Sequence, residues 1–65
     1  MNRAARLDAA EVRFRHACRA LVNATRDEVA SEGHTREHLS RVVELLAAEA
    51  RERWLAVLAL AASPE

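Results

Sequence analysis

The sequence predicts an all-α fold, an antiparallel two-helix hairpin that dimerises into a four-helix bundle. Three observations carry that expectation. The 65 residues include 15 Ala and eight Leu but one Gly and one Pro, a composition with almost no helix breakers. The one glycine, Gly33, lies almost at the midpoint, inside the polar string Ser31-Glu32-Gly33-His34-Thr35. Apolar residues recur at helical spacing on both sides of that string.

The first helix is expected over about residues 3–32, with Asn2 as its N-cap. At 100° per residue one continuous arc collects Leu7, Ala10, Phe14, Ala17, Cys18, Leu21, Val22, Thr25 and Val29. Asp8, Arg15, His16, Arg19, Asn23, Arg26 and Asp27 fall outside it. A turn follows at 33–35. Glycine is the usual left-handed residue just past a helix end. Thr35 is then the expected N-cap of the second helix, with Glu37 in the first turn favoured by the helix dipole. That helix spans about 36–62 and stops at Ser63-Pro64. Its arc holds Leu39, Val42, Val43, Leu46, Ala47, Ala50, Trp54, Val57, Leu58, Leu60 and Ala61. Together the two helices make one domain over 1–65.

A tight turn sets residue i opposite roughly 67 minus i. Leu7 then meets Leu60, Ala10 meets Val57, Phe14 meets Arg53 or Trp54, and Leu21 meets Leu46. Ala17 meets Ala50, a small pair that permits close approach. Each helix is about 40 Å long, and its stripe is wider than one neighbour covers. The chain is also too short for a self-sufficient core, and its lone Cys18 allows no internal disulfide. Pairing with a second copy is the simplest remedy, through Leu7, Phe14, Leu21, Leu46, Trp54, Val57 and Leu58. Leu45 and Leu55 lie off the main arcs and mark a possible second contact.

Composition narrows the function. All ten basic residues are Arg, and they balance ten acids. A nucleic-acid binder is expected to carry a basic excess. Met-Asn-Arg-Ala-Ala-Arg has no apolar core behind it, so no export signal is expected. The longest apolar run, Trp54 to Ala62, has nine residues, where a membrane span needs about 20. A cytoplasmic protein with no membrane contact is therefore expected.

The string His34-Thr35-Arg36-Glu37-His38 fits H-x-x-E-H. That spacing lets two imidazoles on one helical face share an ion, with the glutamate as base. Here His34 lies before the expected N-cap, and a hairpin has no wall or third ligand to complete a catalytic zinc. His16 and Cys18 point to opposite sides of their helix, so they form no nucleophile–base pair. No enzyme activity and no cofactor are expected. Glu11, Glu28 and Glu49 intrude on the stripes, as does Arg53. An Arg53–Glu11 ion pair between neighbours is expected to fix register.

The expected function is that of a non-catalytic protein-interaction module: an accessory subunit, adaptor or regulator acting as a homo-oligomer, with another protein as partner. Two alternatives stand beside it. Arg15, Arg19 and Arg26 form a ridge on helix 1 that a dimer would repeat, suited to structured RNA. His34 and His38, with Glu37 or Glu32, could hold a metal in a bundle. In length and hairpin form the chain resembles the Rop family of plasmid copy-control proteins. That resemblance is one of shape; it implies a bundle of hairpins and assigns no role to any residue.

Overall fold

The computed structural model describes residues 2–63. Helix α1 runs Arg3–Ala30 and helix α2 runs Gly33–Ala62, packed against each other as a hairpin. The result is a rod 51 Å long, close to the length of one helix at about 1.5 Å per residue.

Asn2 starts α1. Its backbone is extended and its Oδ1 accepts a hydrogen bond from the Ala5 amide at 2.8 Å. At the other end, the Ser31 amide donates to the Glu28 carbonyl and the Ser31 hydroxyl to the Asp27 carbonyl. Both bonds satisfy carbonyls that the last turn would otherwise leave open.

The link comes earlier than the sequence suggests. α1 ends at Ala30, Ser31 and Glu32 connect, and α2 already begins at Gly33. Thr35 is therefore not the N-cap. Glu32 holds that position without a side-chain cap bond, and His34 and Thr35 lie inside the first helical turn. The cause is local: Gly33 takes φ +62°, the single positive φ among the described residues. With the reversal completed there, the Arg36 amide can donate to the Glu32 carbonyl at 3.4 Å and open the helix.

α2 ends at Ser63, whose amide donates to the Leu60 carbonyl; Pro64 lies outside the described residues. The last turn of α2 carries no basic residue. Arg3 supplies one across the hairpin. Its guanidinium donates from Nε to the Leu60 carbonyl at 3.1 Å and from a terminal nitrogen to the Ala61 carbonyl at 2.7 Å. A cation on the open carbonyls is favoured by the helix dipole, and this one ties the start of α1 to the end of α2.

The core follows a seven-residue repeat. Ala10, Ala17 and Ala24 are buried on α1, with Ala50 and Val57 on α2. Leu7, Phe14 and Leu21 alternate with the alanines and are half-buried; so are Leu39, Leu46 and Leu60 on α2. This is the narrow seam of a coiled coil. It corrects the broader arcs expected from the sequence on both helices: Ala47 and Ala61 are exposed on α2, and α1 departs in three places. Val22 and Val29 are exposed, at 54% and 70%, and Ala24 belongs to the core instead. A repeat of 3.5 residues holds two positions per heptad at the seam and leaves their neighbours outside.

Among the described residues no large side chain is fully buried within the hairpin. The chain exposes 5013 Å², where a compact chain of 7.2 kDa exposes about 4,100 Å².

Candidate interaction surface

The two helices leave a groove on each side, and the grooves differ. Leu7, Phe14, Leu21 and Glu28 recur at intervals of seven on α1, as Ser40, Ala47, Trp54 and Ala61 do on α2. Residues so spaced share one row of the seam. Two contacts join these rows. The rings of Phe14 and Trp54 lie 5.1 Å apart between centroids, tilted by 41°, within the range where aromatic pairs attract. Two heptads away, the Ser40 hydroxyl donates to the Glu28 carboxylate. Both contacts lie one residue from the expected register, and Trp54 rather than Arg53 faces Phe14. A shallow hollow beside the rings is walled by Ala50 and Arg51. Trp54 and Leu58, one turn apart, are each 44% exposed.

The other groove is lined by Ala10, Arg13, Glu49, Glu52, Arg53 and Ala56, and further along by His16, Ala17 and Ala20. Here Arg53 binds Glu49 on its own helix, Nε at 3.1 Å and a terminal nitrogen at 2.8 Å. Within the hairpin no Arg53–Glu11 pair forms; Glu11 instead pairs with Arg15 one turn away, at 3.4 Å. Carboxylates four residues before an arginine on the same helix are satisfied locally. Neither pair fixes register.

Of the residues expected to hold an assembly together, Val57 is buried inside the hairpin itself. Leu7, Phe14, Leu21 and Leu46 are half-buried, while Trp54 and Leu58 remain open. Leu45 and Leu55 are 72% and 56% exposed; both lie off the seam, on the outer side of α2. Cys18 is a free, half-buried thiol.

The remaining candidates are separated. His34 Nδ1 lies 3.4 Å from a Glu37 carboxylate oxygen, with both side chains in solvent. His38 is exposed on the same helix. Among the described residues no three of His, Cys, Asp and Glu come together as a metal-binding group. His16 is exposed in the charged groove, on the opposite side of α1 from Cys18. Arg15, Arg19 and Arg26 all project from the exposed side of α1; Arg15 is held by Glu11. Arg15, Arg19, Val12 and His16 border a small surface hollow there.

Arg3 was legible only as one more arginine near the start, since its role depends on where α2 ends. No helix among the described residues is long and apolar enough to cross a membrane. Comparison with protein-family models, with curated proteins and with solved structures finds no match to this chain.

Proposed function

We propose that the protein is a non-catalytic interaction module. It works in the cytoplasm as a homo-oligomeric helical bundle that serves another protein as accessory subunit, adaptor or regulator. One observation carries the reading. Among the described residues, those buried by the hairpin alone are four alanines and one valine, while leucines and both aromatics stay partly or largely open. Fully burying a Leu, Phe or Val side chain is worth about 1.5–3 kcal/mol, and an alanine methyl far less. A folded chain of this size needs that missing burial, and a second molecule is its natural source.

Sedimentation at micromolar concentration tests the assembly. The expected species is a dimer or larger; a stable, folded monomer near 7.2 kDa overturns the reading. The partner is tested by purifying a tagged chain from its native host. A protein retained in fixed ratio and lost on Leu55→Arg supports an adaptor role, and a ribonuclease-sensitive complex overturns it.

That second outcome belongs to the RNA-binding alternative. Its support is that Arg19 and Arg26 stand exposed on one side of α1 with no ion pair among the described residues. A gel shift that weakens steeply with salt would establish it. Binding indifferent to Arg19→Ala and Arg26→Ala removes it.

A further inference from the structure

The geometry points to the Phe14–Trp54 side as the face on which a second copy of this chain docks, with the Arg53 groove left on the outside of the bundle. The inference rests on the homo-oligomeric reading and sharpens it by choosing between two grooves.

Area argues for a second copy as the occupant. The surface in excess of a compact 7.2 kDa chain is about 900 Å². One partner in a standard interface contributes about 800 Å². Two copies meeting through that excess would bury roughly 1,800 Å², inside the range of stable complexes.

Chemistry chooses the face. In the Arg53 groove a partner would have to desolvate Arg13, Glu49, Glu52 and Arg53. Removing charges from water costs several kcal/mol each unless new partners replace it. The row through Leu7, Phe14 and Leu21 carries one charge, Glu28, already bonded to Ser40; the other charges near this face, Arg51 beside the rings among them, stand at its flanks. Opposite it stand Trp54 and, one turn on, Leu58. Large aromatics at the centre of a patch, ringed by polar residues, are the usual anchors of an interface. The flanks are self-complementary: Glu11 and Arg15 border the face on α1, Glu44 and Arg51 on α2. A two-fold axis through such a face allows each sign to meet the other. An axis at the level of Phe14 and Trp54 would bring two copies of each ring into one layer.

The sole tryptophan, in a chain without tyrosine, makes the face directly observable. Iodide quenching of Trp54 is measured at a concentration where sedimentation shows the assembled species. The expected quenching constant is several-fold below that of the urea-unfolded chain, because the partner covers the ring. Trp54→Glu is expected to shift the assembly to monomer or unfold it, and Ala20→Glu, in the opposite groove, to leave it intact. A dimer whose Trp54 quenches as readily as the 44% exposed ring of a lone hairpin predicts overturns the chosen face while leaving the bundle standing. So does a dimer that survives Trp54→Glu but is lost with Ala20→Glu. A folded monomer at all concentrations removes the bundle and the face together.

Discussion

The two sides of the hairpin are built from the same two helices yet reach opposite solutions. On one side the seam is bordered by residues that satisfy themselves. Arg53 turns to Glu49 on its own helix, and the groove beside it is lined by alanines and charged residues. On the other side Phe14 and Trp54 touch each other but still leave Trp54 open to solvent. Charge is neutralised by a local neighbour within one turn. Apolar area is not, since a helix can hide it only against a third surface. A two-helix protein can therefore finish its polar side alone and leave its apolar side incomplete.

That contrast can be broken most sharply at Phe14. Truncating a fully buried phenylalanine costs about 3–5 kcal/mol, and a half-covered one about half as much. Urea unfolding of Phe14→Ala separates the cases. A loss near the upper figure, growing as the protein is diluted, fits a ring buried between copies; a small, concentration-independent loss fits a ring covered by Trp54 alone. Next is the alanine seam. Ala17 and Ala50 are both buried in the seam, so Ala17→Leu is expected to lower stability by about 1–3 kcal/mol through overpacking. An unchanged or raised midpoint would mean the helices have room to separate.

Gly33→Ala probes the link between the two sides. A Cβ there meets nothing within 4 Å, so the cost is the left-handed backbone alone, about 1 kcal/mol net. Thermal melts by circular dichroism read it. Arg3→Ala is expected to cost about 0.5–1 kcal/mol and to speed amide exchange near Ser63, leaving the middle of α2 unchanged. The smallest effect belongs to the charged side. Arg53→Ala removes a partly exposed pair within one helix and should change stability by under about 0.5 kcal/mol. A larger loss would show that this groove, rather than the aromatic one, meets another molecule.

Much of this was readable from the chain. The helical composition, the Asn2 cap, the reversal around Gly33 and the burial of Ala17 and Ala50 follow from local rules. A cap needs its own neighbours three residues on, and a helical stripe needs only spacing. The sequence places the link two residues late because Thr35 is as good a cap by type as Glu32 is poor. The positive φ of Gly33 outweighed that preference. A period of 3.6 places Val22 and Val29 on the buried arc, because it is hard to tell from 3.5 over four turns.

The sequence by itself determined that there are two helices, where they meet in register to within a residue, and that their apolar stripes exceed one neighbour's reach. Only the tertiary structure decided that Phe14 meets Trp54 rather than Arg53, that Arg53 and Glu11 each bind their own helix, and that Arg3 closes the far end. The physical reason is range. Spacing along a helix is set by the backbone, whereas the choice between two nearby partners depends on the relative rotation of the helices, which packing alone supplies.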